Sequence, residues 1–134
     1  MKLVDINIFM DVLEQRTGWE ASLMVLSHIR QKKEKGCISV LSIPILHYLR
    51  SKYFSEKKAR DDVQEIIKEF VILPLNKKTI TQAFASPFSD FEDAIQYHSA
   101  LHKKCDGIIT RNVADFKTST ISVLTPEEFL EQKK

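Results

Sequence analysis

The sequence predicts an α/β fold in which a parallel sheet of about five strands is covered by helices on both faces. Short apolar runs of strand length alternate with amphipathic segments of helical spacing along all 134 residues. These runs are continuous, which is typical of strands buried on both faces of a parallel sheet. The length and the 43% hydrophobic content suit one compact domain, residues 1–134, and no linker composition interrupts it.

The individual elements follow from local patterns. Strands are predicted where apolar or β-branched residues run together, and helices where apolar residues recur every three or four positions. In chain order the sequence predicts strand 2–5, helix 6–16, helix 19–35, strand 37–41, a helix from 42, helix 56–69, strand 70–75, helix 79–85, helix 90–104, strand 108–110, strand 121–124 and a final helix.

Certain residues mark where the predicted helices begin and end. Gly36 follows a basic turn and is expected to end the second helix in the left-handed conformation. Pro44 suits the first turn of the third helix, and Ser55 suits the N-cap of the fourth. Asp106 and Gly107 are expected to close the helix before the fourth strand.

Composition and charge exclude several classes of protein. The net charge of +2 is too small to indicate a polyanionic partner by itself. The N-terminus turns acidic at Asp5 after a short apolar run, so it lacks the core of a signal peptide, and no apolar run approaches the roughly 20 residues that span a bilayer. We therefore expect a cytoplasmic protein without a membrane partner.

Cys37 and Cys105 are expected to be buried, reduced thiols. The phenylalanines are expected to be core residues and not surfaces on which bases stack.

Polar side chains gather where the predicted strands end. Ligands of open parallel sheets bind beyond the carboxyl ends of the strands. Six polar residues follow strands one, two and four: Asp5, Ser42, Thr110, Arg111, Asn112 and Asp115. Three acids open the helix before the fourth strand: Asp90, Glu92 and Asp93.

These acids permit two interpretations, and the sequence leaves both open. Asp5 and Asp90 suit helix N-caps, where a side-chain oxygen accepts a backbone hydrogen bond. Acids brought to one edge also repel one another unless a cation neutralises them, and carboxylate oxygens select Mg²⁺ or Mn²⁺. Such ions support the hydrolysis of phosphodiester bonds.

Four ordered blocks of sequence resemble the PIN domain, a family of metal-dependent nucleases that includes VapC-like toxins. The blocks are LVDINIF, ISVLS before a helix, DFEDAIQYHSA, and IITRNVADF followed by ISVLTPEEFL. The resemblance covers nearly the whole chain. It implies a three-layer α/β/α sandwich with strand order 3-2-1-4-5, and a Mg²⁺- or Mn²⁺-dependent endoribonuclease that hydrolyses RNA. It also implies an antitoxin partner and a homodimer.

The resemblance also implies roles for particular residues. Asp5 and Asp93 match metal-binding acids of the family, and Asn112 stands in the T-R-D block, so these three form the predicted catalytic set. With Asp90 added, they form the predicted metal site. The supporting candidates are Asn7, Glu92, Thr110 and Asp115, and Arg111 is the predicted contact to RNA phosphate.

Two positions depart from the family pattern. Ile45 stands where the family often has Glu, and Asn112 replaces the Asp of the T-R-D block. An amide oxygen at Asn112 can still bind a cation, and Asp90, Glu92 or Asp115 can supply the missing charge. The alternative is a PIN-fold module with weakened catalysis that binds RNA or protein. A phosphotransferase with Asp5 as nucleophile is disfavoured, because enzymes of that kind have a second Asp two residues after the first, and this chain has Asn7 there.

Overall fold

A computed structural model describes residues 1–134 and contains five strands, seven α-helices and one short 3-10 helix. The strands are β1 (Lys2–Val4), β2 (Gly36–Ser39), β3 (Val71–Leu73), β4 (Gly107–Ile109) and β5 (Ser122–Leu124). The α-helices are α1 (Ile6–Glu14), α2 (Trp19–Arg30), α3 (Ser42–Tyr53), α4 (Glu56–Glu69), α5 (Lys77–Ala85), α6 (Phe91–His102) and α7 (Pro126–Gln132). The 3-10 helix (Val113–Phe116) lies between β4 and β5.

The strands form one parallel sheet in the order β3-β2-β1-β4-β5, which confirms the predicted fold class and strand order. β1 is the central strand, and its Leu3 pairs with Cys37 on one side and Ile108 on the other. Parallel neighbours require a crossover connection, so each strand is followed by helices that cover the sheet. The carboxyl ends of β1 and β4 therefore lie side by side.

Alternating strand residues divide the apolar core into two layers. Val4, Ile38 and Ile109 face the layer that includes buried residues of α1, α2, α3, α4 and α7. Leu3, Cys37 and Ile108 face the opposite layer, which α6 and the 3-10 helix cover. Both faces of the sheet are thus buried, as the continuous apolar runs predicted.

Several predicted boundaries are wrong, and the role of Gly36 is the clearest case. Helix α2 ends at Arg30, and Lys32 rather than Gly36 adopts the left-handed conformation, with φ of 61°. Gly36 instead opens β2, where an added Cβ would lie 2.7 Å from Cδ1 of Ile29. The glycine is needed for close packing of α2 on the sheet. Similarly, Lys104, with φ of 55°, makes the turn after α6, and Gly107 belongs to β4.

Burial also differs from the prediction for some apolar residues. β3 is an edge strand, and its Val71 is exposed instead of buried. Phe84, Phe54 and Phe91 are surface residues with exposed fractions of 74%, 58% and 40%. Cys37 and Cys105 are buried free thiols, as predicted, with their Sγ atoms 3.4 Å apart. No helix is both long and apolar enough to cross a membrane.

Candidate active site

Asp5 lies at the carboxyl end of the central strand β1 and is only 1% exposed. It is the N-cap of α1, and its Oδ1 accepts a hydrogen bond from the backbone nitrogen of Asn7 at 3.4 Å. The capping interpretation of Asp5 is therefore correct, but it accounts for only one of its contacts. Burial raises the pKa of Asp5, and its hydrogen bonds partly oppose that rise. No Lys, Arg or His forms an ion pair with this carboxylate.

Thr110 connects Asp5 to the end of β4. Its hydroxyl donates to Oδ2 of Asp5 at 2.7 Å and accepts a hydrogen bond from the backbone nitrogen of Asn112 at 3.0 Å. Thr110 is fully buried. Because β1 and β4 are hydrogen-bonded neighbours, the two strand ends hold this contact in register. The structure thus brings Thr110 and Asp5 together.

Gln96, which sequence reasoning missed, makes the third side-chain contact of this centre. Its Nε2 donates to Oδ1 of Asp5 at 3.2 Å, and its Oε1 accepts from the backbone nitrogen of Ile6 at 3.4 Å. Gln96 belongs to α6, and its side chain is buried. Gln96 comes three residues after Asp93, so the two share one helix face. That spacing was the available signal.

The acids at the start of α6 reach the same region electrostatically. Asp90 is the N-cap of α6, and its Oδ1 accepts from the backbone nitrogen of Asp93 at 2.9 Å. The pKa of Asp93 rises to about 7, first because of burial and then because of the negative charges of Asp5, Asp90, Asp115 and Glu92. The negative charges of four neighbouring acids therefore act on Asp93, and no cation is among the causes of its shift.

The fit of a divalent cation can be judged from this donor set. No three carboxylate, imidazole or thiolate side chains stand in an arrangement that could hold a metal ion as they are. The donors are nevertheless oxygen atoms carrying excess negative charge, which is the set that Mg²⁺ and Mn²⁺ prefer. The pKa of Asp93 is raised by burial first and then by repulsion from the neighbouring acids, and a cation would relieve that repulsion. The oxygen donors of the site therefore suit such an ion, although the acids in their present positions do not surround one.

The other predicted site residues lie around this centre. Asn112 directly precedes the 3-10 helix and is exposed. Its backbone carbonyl oxygen accepts a hydrogen bond from the backbone nitrogen of Asp115 at 3.0 Å. Glu92 and Asp115 are exposed acids. Oδ1 of Asn7 accepts from Nη1 of Arg16 at 3.2 Å, so its amide contacts a neighbouring side chain. Ile45, in α3, offers no ligand atom.

The guanidinium group of Arg111 forms hydrogen bonds with four other residues of the chain. Its Nε donates to Oδ2 of Asp11 at 3.0 Å, and its Nη1 donates to Glu127 Oε1 at 2.6 Å. Its Nη2 donates to the carbonyl oxygen of Gly18 and to Ser22 Oγ. Contact of Arg111 with RNA would require some of these bonds to break. The observed geometry favours a positioning role that ties the end of β4 to α1, α2 and α7.

Sequence reasoning missed two partners of Arg111. Asp11 is a buried acid in α1, and its Oδ2 also accepts from Ser22 Oγ at 2.8 Å. Its position three residues after Ile8, on the apolar face of α1, was the available signal. Gly18 has φ of 86°, and an added Cβ would lie 2.8 Å from Nη2 of Arg111. Glycine is favoured there by its conformation, and a side chain would have to displace the guanidinium group of Arg111.

Comparison with known proteins places this geometry in a family. A family model described as the PIN domain matches residues 2–114. The chain is 30% identical over 135 residues to Ribonuclease VapC1 of Aquifex aeolicus (strain VF5), covering 96% of this chain and 92% of the relative.

Solved structures share the fold. A toxin-antitoxin complex from Klebsiella pneumoniae aligns with a TM-score of 0.70 at 22% identity, covering 94% of this chain and 98% of that one. VapBC from Salmonella typhimurium, solved bound to DNA, aligns with a TM-score of 0.68 at 13% identity, covering 93% and 97%. The family match extends over most of the sequence and includes β1, α6 and β4. The chain belongs to the PIN domain family.

Proposed function

We propose that this chain is a Mg²⁺- or Mn²⁺-dependent endoribonuclease in which Asp5 and Asp93 are the main metal ligands. The observation that carries the proposal is the buried carboxylate of Asp5 at the end of the central strand together with Asp93 at the start of α6, whose pKa burial and neighbouring acids raise to about 7. Membership of the PIN domain family and a relative named as a ribonuclease support the reaction class. Asp90 and Asn112 complete the proposed metal site.

The protein's own residues prepare this site in two ways. Thr110 and Gln96 orient the two oxygens of Asp5, so the carboxylate does not have to be ordered when a ligand binds. Asp93 is partly protonated at neutral pH without a cation, and it releases that proton when positive charge arrives. A bound divalent ion would supply positive charge to the scissile phosphate and acidify water for its attack.

The experiment that tests this function is cleavage of RNA with Mg²⁺ or Mn²⁺ by the wild type and by Asp5→Asn. We expect the substitution to reduce the cleavage rate by about 100-fold or more, because it removes a ligand charge. Asp61→Asn is the matched control, because Asp61 is an exposed acid of α4. Equal cleavage by wild type and Asp5→Asn would remove this mechanism.

A second candidate is a PIN-fold module that binds RNA or protein with weakened catalysis. The observations that favour it are Ile45, which supplies no ligand, and the exposed amide of Asn112 in place of a carboxylate. Titration with Mn²⁺ discriminates between the two candidates. Absence of binding at millimolar Mn²⁺ together with retained RNA or protein binding would favour the module.

We further propose that the protein is the toxin of a toxin-antitoxin pair. The structural neighbour from Klebsiella pneumoniae supports this, since it is a toxin-antitoxin complex. An apolar groove between α1, α2 and α4 offers a surface for an amphipathic helix of the antitoxin. Its apolar lining is Phe9, Val12, Leu13, Leu23, Leu26, Ile66 and Phe70.

This partner proposal predicts that a gene beside this one encodes a small protein that binds the chain. Purified mixtures should form a complex with wild type, and Leu26→Asp in the groove should weaken it. Leu130→Asp, on the partly buried face of α7 outside the groove, is the control. Unchanged affinity for Leu26→Asp would exclude the groove. Sedimentation of the isolated chain tests the homodimer that the sequence resemblance implies.

A further inference from the structure

Two cysteines from distant parts of the chain meet on one face of the sheet. Cys37 lies in β2 and Cys105 in the turn between α6 and β4, yet their Sγ atoms are 3.4 Å apart. Both are buried in the apolar layer that also contains Leu3 and Ile108. The chain has no other cysteine. Each thiol is therefore the other's one possible disulfide partner within the chain.

The backbone holds the two cysteines with unequal firmness. Cys37 is fixed in the sheet, because it pairs with Leu3 of β1 on one side and with Val71 of β3 on the other. The turn that carries Cys105 is exposed at residues 103, 104 and 106, and Lys104 has φ of 55° there. A disulfide joins sulfur atoms about 2 Å apart, so a small shift of this turn is enough to close the contact.

The charges around the pair favour Cys105 as the reactive thiol. A hydrogen bond with Cys37 lowers the pKa of Cys105, and the N-terminal ammonium and Lys2 lower it further, against burial and the charge of Asp106. The same hydrogen bond raises the pKa of Cys37. The thiolate is the form of cysteine that oxidants attack, and local opening of the exposed turn admits a small oxidant to Cys105.

We infer that Cys37 and Cys105 are an oxidation site, at which hydrogen peroxide converts the two thiols into an intramolecular disulfide. The Cys105 thiolate attacks one peroxide oxygen, the O–O bond breaks, and hydroxide leaves and is protonated to water. The sulfur of Cys37 loses its proton and attacks the resulting sulfenic acid, so that the S–S bond forms, the S–O bond breaks and a second water leaves. The thiols lose two electrons, and peroxide gains them.

The surroundings favour this reaction over metal binding by the same thiols. A structural thiolate site uses about four ligands, and no third His, Cys, Asp or Glu stands with this pair. The cross-link would join residues 68 positions apart in sequence. Closing so long a loop restricts the unfolded chain, so the oxidised protein should resist unfolding more than the reduced protein.

The test treats the purified full chain with hydrogen peroxide after removal of reductant. We expect its mass to fall by about 2 Da, the two hydrogens lost, and no free thiol to be alkylated after denaturation. Its Tm should rise by roughly 5–10 °C, and dithiothreitol should reverse both changes. Cys37→Ser should instead retain a sulfenic acid at Cys105 that dimedone traps, without the rise in Tm. Cys105→Ser should leave Cys37 a free thiol, because Cys37 is fully buried in the sheet.

Three results in the wild type would overturn the inference. One is recovery of both cysteines as alkylated thiols after peroxide treatment. Another is a disulfide between two chains, seen as a doubled mass without reductant. The third is oxidation of Cys105 to sulfinic acid while Cys37 stays a thiol. None of these measurements requires nuclease activity, so their outcome is independent of the proposed function.

Discussion

Replacing Asp93 with asparagine should stabilise the metal-free protein at alkaline pH. The pKa of Asp93 is raised from its ordinary value of 3.8 to about 7, by burial first and then by the neighbouring acids. The folded state therefore holds the proton more tightly than the unfolded state does. This contribution to stability is fully present below pH 3.8 and is lost as the pH rises through about 7. Asparagine imitates the protonated carboxyl and does not lose its contribution.

The size of the effect follows from the same two values. The difference between 3.8 and about 7 corresponds to about 4 kcal/mol of unfolding free energy if solvent screens none of it. Asp93 is only half-buried, so screening reduces the expected gain to about 1–2 kcal/mol. For a domain of this size that gain raises Tm by about 3–6 °C.

Thermal denaturation at pH 5 and pH 8, in chelator and with Mn²⁺, provides the assay. In chelator, the wild type should lose Tm between these two pH values, and Asp93→Asn should lose less. Mn²⁺ should raise the Tm of the wild type at pH 8, because a ligand of the folded state stabilises it, and should raise that of Asp93→Asn less. Asp61→Asn should behave as wild type throughout, since Asp61 is exposed on α4.

Identical Tm values for wild type and Asp93→Asn at pH 8 in chelator would refute the reasoning. That result would mean that the charge of Asp93 does not destabilise the folded state, either through burial or through the neighbouring acids. If Asp93→Asn showed the expected gain but Mn²⁺ left the wild type unchanged, the cost of the charge on Asp93 would be real, and its proposed role as a metal ligand would fail.

Three further substitutions test the contacts around the site. Gln96→Leu removes a donor to Asp5, so we expect about tenfold weaker Mn²⁺ affinity by calorimetry, and unchanged affinity would deny Gln96 a positioning role. Arg111→Ala leaves the charge of Asp11 buried without its cation and should lower the unfolding free energy in urea by about 3 kcal/mol. Full stability with weaker RNA binding would instead support Arg111 as an RNA contact. Gly18→Ala should cost about 1–3 kcal/mol in the same assay, and a neutral effect would contradict the need for positive φ there.

The sequence predicted the elements well wherever the signal was local. Short, mostly apolar runs such as residues 2–5 and 108–110 predicted strands. Successive side chains of a strand point to opposite faces of the sheet, so a continuous apolar run is expected where both faces are buried. The position of Asp5 at a strand end followed directly from such a run, as did its placement near Thr110 once the sheet was taken as parallel. Gly36 was misread because left-handed helix ends and close packing both favour glycine.

Only the tertiary structure decided how the polar side chains are used. Gln96 contacts Asp5 across 91 residues of sequence, and Arg111 reaches Asp11 across 100. Such pairs depend on how α6 and α1 pack against the strand ends, which local periodicity does not specify. Phe84 and Phe91 were wrongly predicted to be core residues for the same reason, because helical spacing identifies a face but not whether another element covers it. The sequence by itself thus determined the fold class and the acids at the strand ends. Packing determined which residues form hydrogen bonds with those acids and which acids lie close enough to repel one another.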